Sequence, residues 1–150
     1  MKIEELIKIL KDCAKQVIEE LGAGWQEIIY QTAMEVALRD RGIMYETQRI
    51  LPITFAGHII GESIPDLVVW LKDHNHKVAV VVDLKADNAI KEDHRTQVER
   101  YIKELKKQVH ADEKVHPKGF VINFAKDSTS AKIKDGFEEM NGVQILEVTA

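Results

Sequence analysis

The segment KVAVVVDLK, residues 77–85, decides the fold. Apolar residues fill positions 78–82, Asp83 follows them directly, and Lys85 lies two positions further on. An uninterrupted apolar run of this kind is typical of a central strand that is buried on both faces of a sheet. Because side chains at i and i+2 of a strand point to the same face, we expect Asp83 and Lys85 to project together from the end of this strand.

The sequence on either side of this strand alternates between helical and strand patterns. Apolar residues at helical spacing predict helices, the first two ending at Gly22 and Gly42, over residues 3–21, 25–41 and 90–108. Further strands are predicted at residues 44–55, 64–71, 119–124 and 143–148, with turns at 56–58 and 73–76. A polar link is expected at 110–118, and a polar segment with a short helix at 126–139. This order predicts a mixed α/β architecture in one domain spanning residues 1–150.

The composition excludes several classes of protein. With 45% hydrophobic and 31% charged residues, the 150-residue chain has the composition of a folded globular domain rather than a disordered one. The net charge of −4 argues against a protein that coats nucleic acid through bulk positive charge. A single cysteine, Cys13, excludes an intrachain disulfide and suits a reducing, cytoplasmic location. No apolar run approaches the ~20 residues of a membrane span, so no membrane association is expected.

Other polar residues in the predicted elements could join Asp83 and Lys85. Asp66 lies near the start of a predicted strand, and Glu27 lies in the first turn of the second helix. Gln97 and Tyr101 are one turn apart on the third helix and share a face, which His94 can also join. Taken singly, each residue has an ordinary structural explanation, such as a glutamate favoured by the helix dipole or a half-buried tyrosine. His74 and His76 are expected at an exposed hairpin tip rather than in a metal site.

The order of these residues along the chain favours a functional explanation over the separate structural ones. A helix glutamate is followed by two strand aspartates with a following lysine, and then by a Gln-x-x-x-Tyr helix. In this order the chain resembles the PD-(D/E)XK nuclease superfamily. The matching positions here are Glu27, Asp66, Asp83-Leu84-Lys85, Gln97 and Tyr101. Asp83 stands where many members of the superfamily have glutamate. The resemblance implies a restriction-endonuclease-like fold, in which helices flank a central mixed β-sheet.

A closer resemblance is to the small GxxExxY proteins, a family similar to RecB-type nucleases. The motif that names the family is matched by Gly24, Glu27 and Tyr30. The segment ALRDRGI follows the motif and adds to the likeness, which extends over residues 21–137.

The resemblance implies a nuclease that hydrolyses DNA phosphodiester bonds at a one-metal or two-metal Mg²⁺ or Mn²⁺ site. Asp66 and Asp83 are the candidate ligands, since Mg²⁺ prefers hard oxygen ligands, and the family pattern adds Glu27 and the backbone carbonyl of Leu84. Lys85 would orient or help to deprotonate the attacking water. Gln97 and Tyr101 would line the site, with Glu27 as a further catalytic residue.

The implied partner is nucleic acid, DNA more than RNA, and two copies of the chain could form a homodimer. Two alternatives stay open. One is a catalytically inactive nucleic-acid-binding or regulatory protein on a nuclease scaffold, against which the intact set of Asp66, Asp83 and Lys85 speaks. The other is a protein-interaction module that binds a partner through its long helices. A metal titration and size-exclusion chromatography would distinguish these alternatives.

Overall fold

A computed structural model describes residues 1–73, 76–126, 137–140 and 142–150. In chain order its elements are α1 (Ile3–Leu21), α2 (Glu27–Asp40), β1 (Met44–Glu46), β2 (Leu51–Phe55), β3 (His58–Ser63), β4 (Leu67–Asp73), β5 (His76–Lys85), α3 (Glu92–Lys106), β6 (Glu113–Val115), β7 (Lys118–Phe124), β8 (Phe137–Met140) and β9 (Val143–Thr149). None of the three described helices is both long and apolar enough to cross a membrane.

Strand β5 lies inside the main sheet, whose strands run in the order β1-β4-β5-β7-β9-β8. It pairs antiparallel with β4 and parallel with β7, and short β6 pairs with it in parallel as well. Helix α3 makes the crossover between the parallel neighbours β5 and β7, as such strands require. The predicted mixed sheet with flanking helices is therefore confirmed, and so is the position of the apolar run within it.

The two faces of the sheet are covered by different helices. Helices α1 and α2 pack on one face, where β5 contributes Val80, Val82 and Leu84. Helix α3 packs on the other face, where β5 contributes Ala79 and Val81. Because both sets are buried, the strand is apolar at every position from 79 to 82, and the first polar side chain in this run is Asp83.

The helices agree with the prediction apart from their ends. Helix α1 ends at Leu21 as expected, and Gly22 follows with a φ of +74°. Helix α2 begins at Glu27 rather than at residue 25, because Trp25 is held in the preceding turn by hydrogen bonds. Gly42 has a φ of +72°, the left-handed conformation that glycine adopts most easily after a helix.

Residues 44–55 form two strands rather than one. Gln48, with a φ of +57°, lies between β1, which joins the main sheet, and β2, which pairs only with β3. The two-residue turn Ala56–Gly57 has positive φ at both positions and closes the β2–β3 hairpin in the manner of a type I′ turn. The predicted turn therefore lies at the tip of a hairpin that stands apart from the main sheet.

Three other predictions need correction or fall outside the described residues. Strand β4 starts at Leu67 rather than at residue 64, so Asp66 precedes the strand. The polar link 110–118 contains β6, and residues 137–140 are strand β8 rather than helix, while residues 127–136 lie outside the described part. His76 is the first residue of β5, not part of a turn, and His74 also lies outside the described residues.

Candidate active site

Asp66 and Asp83 lie next to each other on the α3 face of the sheet. Val68 and Val81 are paired across β4 and β5, and both belong to the cluster under α3. Asp66 lies two residues before Val68, and Asp83 lies two residues after Val81. Both aspartate side chains therefore point to the same face of the sheet as these valines. The strand ladder ends at the pair Leu67 and Val82, so the two aspartates meet where β4 begins.

The Asp66 carboxylate is fixed by the backbone of β5. Its Oδ2 atom accepts a hydrogen bond of 2.7 Å from the Leu84 N–H. The N–H and C=O groups of one residue in an extended strand point to the same edge, so the Leu84 carbonyl is directed to the edge where Asp66 lies. Two carboxylates and a carbonyl oxygen therefore converge at the start of β4.

Asp83 is buried and incompletely compensated. The residue is only 1% exposed, and within the described part of the chain its Oδ2 atom has no hydrogen-bond partner. Burial and then the neighbouring Asp66 carboxylate raise the pKa of Asp83 to about 8, while Lys85 opposes this rise. A buried carboxylate is costly unless it is compensated, and the Lys85 ammonium, 3.3 Å from this same oxygen, compensates it only in part.

Lys85 supplies one positive charge to the pair. Its Nζ atom lies 3.3 Å from Asp83 Oδ2. Burial by itself would lower the pKa of Lys85, but the attraction of Asp83, Glu27 and Asp66 outweighs this effect and the pKa is raised. Lys85 is therefore an ammonium ion at neutral pH, which favours orientation of a water and charge compensation over removal of a proton by this side chain.

Glu27 approaches the same group from the opposite face of the sheet. It is the first residue of α2, where the helix dipole favours a carboxylate. Burial raises the pKa of Glu27, Lys85 lowers it, and the carboxylates of Asp66 and Asp87 raise it further. Three elements, α2, the start of β4 and the end of β5, thus bring Glu27, Asp66, Asp83 and Lys85 together.

The donor set fits a hard divalent cation. Among the described residues, no group of three or more histidine, cysteine, aspartate or glutamate side chains is arranged to enclose a metal ion. Mg²⁺ does not need such an enclosure, because it usually binds one or two carboxylates and keeps several waters. The neighbouring carboxylates of Asp66 and Asp83 meet this requirement, and the surplus of carboxylates over the Lys85 ammonium would attract the ion.

Helix α3 contributes Tyr101 to the edge of the site. Tyr101 is buried, and its pKa is raised by burial and by the nearby Asp83, Asp66 and Glu27 carboxylates. Gln97 is half-buried and lies one turn before Tyr101 on the same helix. Spacing along α3 directs Gln97 to the site, whereas Tyr101 is close enough for the carboxylates to affect its ionisation.

A comparison with known protein families agrees with this geometry. A model of the PD-(D/E)XK nuclease superfamily matches residues 4–135. The chain belongs to this superfamily. No curated protein and no solved structure matches the chain significantly. Membership of the PD-(D/E)XK superfamily indicates a metal-dependent nuclease, and hence nucleic acid as the substrate.

Asp87 lies close enough to Glu27 to raise its pKa, and it gives His94 a defined partner. His94 is 8% exposed, and its Nε2 atom lies 3.2 Å from Asp87 Oδ2. Its Nδ1 atom accepts a hydrogen bond from the Lys91 N–H, so the ring proton of the neutral form is on Nε2, facing Asp87. Burial and then Lys85 lower the pKa of His94, which keeps the ring neutral at physiological pH.

Asn123 holds Asp87 in place. Its Oδ1 atom accepts a hydrogen bond from the Asp87 N–H, and its Nδ2 group donates to the Asp87 carbonyl, at 2.8 and 3.0 Å. Asn123 also donates to Gln144, and both side chains are buried inside the sheet. Sequence analysis missed Asp87 and Asn123; the available signal was an asparagine inside the apolar run of residues 119–124.

Tyr30, the last residue of the Gly-x-x-Glu-x-x-Tyr pattern, supports the site without facing it. Its hydroxyl donates a 2.7 Å hydrogen bond to the Gly22 carbonyl and accepts one of 3.2 Å from the Trp25 N–H. Its ring stacks on Phe124 with a centroid separation of 4.4 Å. The tyrosine therefore fixes the turn that leads into Glu27.

Proposed function

We propose that this chain hydrolyses phosphodiester bonds of nucleic acid, DNA in preference to RNA, with Mg²⁺ or Mn²⁺ as its cofactor. The observation that supports this most strongly is the buried Asp83 oxygen without a hydrogen bond, beside Asp66 and 3.3 Å from Lys85. It lies in the region that matches a nuclease superfamily. The preference for DNA, and the closer kinship to GxxExxY and RecB-type proteins, rest on the resemblance of the sequence.

The cation would be held by Asp66, Asp83 and the Leu84 carbonyl, with Glu27 contributing through a coordinated water, because the three carboxylates do not together surround an ion. When bound, such an ion acts as a Lewis acid on the phosphate and lowers the pKa of a coordinated water. The hydrogen bond from the Leu84 N–H fixes Asp66 before any ligand arrives, so little reorganisation is needed. The number of ions, one or two, depends on whether Glu27 and Asp87 contribute.

Lys85 would orient the attacking water and offset negative charge on the phosphate. Its raised pKa keeps it cationic, and its contact with Asp83 fixes the direction of the side chain. Tyr101 would limit the site on the α3 side, and Gln97 would position water or phosphate oxygens. These roles need no proton transfer by Lys85 itself.

We further propose that residues 1–150 form a single domain, because both packed clusters share the same sheet.

The test is cleavage of labelled single- and double-stranded DNA and RNA with Mg²⁺, with Mn²⁺ and with EDTA. The matched variants are Asp83→Asn, which keeps the size of the buried side chain, and Glu147→Gln, which removes a carboxylate paired with Lys118 at the other end of the sheet. We expect metal-dependent cleavage by the wild type and by Glu147→Gln, and a loss of at least about a hundredfold in Asp83→Asn. Equal cleavage by Asp83→Asn would refute the assignment.

A further inference from the structure

Large apolar side chains are exposed in two groups near the site. The first group, which we call the α2 rim, surrounds the start of α2 and consists of Trp25, Ile28 and Ile29, exposed by 51, 57 and 41%. The second group is the apolar hairpin, made of exposed residues on and beside β2 and β3: Ile50, Ile53, Phe55, Ile59, Ile60 and Ile64. Contiguous exposed apolar surface marks a binding site more often than scattered single residues do.

Both groups adjoin the carboxylates, one from each face of the sheet. The α2 rim flanks Glu27 within two residues on either side. The apolar hairpin leads directly into Asp66, because Ile64 is two residues before it. At the base of the hairpin, Leu51 is fully buried in the cluster under α3, on the face that carries Asp66 and Asp83. Each group is therefore next to a site carboxylate along the chain, the α2 rim to Glu27 and the apolar hairpin to Asp66.

Trp25 is held rigidly although half of it is exposed. Its indole N–H donates a 2.7 Å hydrogen bond to the Leu21 carbonyl. Its backbone N–H donates to the Tyr30 hydroxyl, which is itself bound to Gly22 and stacked on Phe124. A ring that is fixed before binding loses little conformational entropy when a ligand stacks on it.

The charges around these groups say which part of a nucleic acid they can bind. Residues 50–64, which contain the apolar hairpin, have no Lys or Arg and one carboxylate, Glu62, and Glu27 is the single charged residue in residues 22–31. Neither surface can therefore attract phosphate groups, whose charges are left to Lys85 and a bound cation. The matching chemistry is the uncharged face of a nucleobase, which stacks on aromatic and apolar side chains.

We propose that the site takes single-stranded nucleic acid, whose unpaired bases stack on Trp25 and on the apolar hairpin while the backbone crosses the carboxylates. In a duplex, the base faces are covered by neighbouring base pairs, and only their edges are accessible in the grooves. An extended single strand exposes these faces. This substrate class rests on the proposed nuclease function, but the base contacts themselves require no hydrolysis.

The experiment measures binding of phosphorothioate oligonucleotides of about 15 nucleotides, single-stranded and duplex, by fluorescence anisotropy with Mn²⁺, so that the cation is present while the modified linkages resist cleavage. We expect the single strand to bind more tightly than the duplex. Trp25→Ala and Phe55→Ala should each weaken single-strand binding about tenfold, within the range of about five- to 150-fold known for loss of a stacked base. Trp25→Phe should restore most of it, because a ring remains.

Val36→Ala is the matched control, since Val36 is 41% exposed on the same helix but belongs to neither group. Equal affinity for single strand and duplex, unchanged by Trp25→Ala, would overturn the inference. Sedimentation that shows a dimer of the wild type and a monomer of Phe55→Ala, with oligonucleotide binding unchanged, would assign the apolar hairpin to a second copy instead. Failure of hydrolysis alone, with Trp25-dependent binding retained, would refute the nuclease proposal and leave this inference standing.

Discussion

Divalent-cation binding by Asp66 and Asp83 should depend steeply on pH. The pKa of Asp83 is raised to about 8 by burial and by the Asp66 carboxylate, against the opposing effect of Lys85, so near neutral pH the side chain binds a proton far more readily than an ordinary aspartate. A metal ligand must be deprotonated, and binding therefore displaces this proton. With a pKa of about 8, a large share of the protein carries the proton at pH 7, so each ion bound there should release up to one proton.

The same linkage fixes the slope of affinity against pH. When one proton must leave, the apparent affinity for Mn²⁺ falls about tenfold for each pH unit below about 8. Isothermal titration calorimetry between pH 6 and 8, in two buffers of different protonation enthalpy, measures both affinity and proton release. Glu147→Gln should keep the slope, because its carboxylate lies at the other end of the sheet. Mn²⁺ affinity that is constant over this range, with no proton released, would refute the coupling of Asp83 to the ion.

Two further predictions follow from the same contacts. The pKa of Asp83 is higher in the folded protein than its unfolded value of 3.8, so the contribution of Asp83 to stability is complete below pH 3.8 and is lost as the pH rises towards about 8. Without metal, the melting temperature of the wild type should therefore fall from pH 5 to 8. The melting temperature of Asp83→Asn should fall less over the same range. An equal fall in both proteins would show that other groups cause it. Tyr30→Phe should lower the free energy of unfolding in urea by about 1–3 kcal/mol, because it leaves the Gly22 carbonyl and the Trp25 N–H without their partner. The control Tyr45→Phe removes an exposed hydroxyl and should lower the free energy of unfolding by about 0.5 kcal/mol or less.

The elements that could be predicted from the sequence are those whose environment shows in a local pattern. The run of residues 78–82 predicts a strand covered on both faces, and helix α1 has the periodicity of one buried side. Segments 44–55 and 110–118 were assigned wrongly for the opposite reason. Strand β6 has three residues and pairs with β5 far away in sequence, so its own residues carry no strand pattern.

The site residues, too, could be predicted only where a local sequence pattern or the family resemblance marks them. Asp83 and Lys85 stand out because they end an apolar strand, and the resemblance supplied the other PD-(D/E)XK positions. Asp87 could not be recognised, because its position depends on Asn123 from a strand 36 residues later in the chain. The role of Tyr30 was equally hidden, since its partners in the turn and Phe124 meet only in the folded chain.

The most direct test of the nuclease mechanism is the cleavage rate of Lys85→Ala and Lys85→Arg at saturating Mn²⁺, with melting curves on the same samples. Lys85 is largely buried beside Asp83, and the larger planar guanidinium cannot replace a compact ammonium at this reach. We predict that both variants bind Mn²⁺ and melt close to the wild type, and that both lose cleavage by roughly a hundredfold or more. Cleavage at the wild-type rate by both variants would contradict the mechanism.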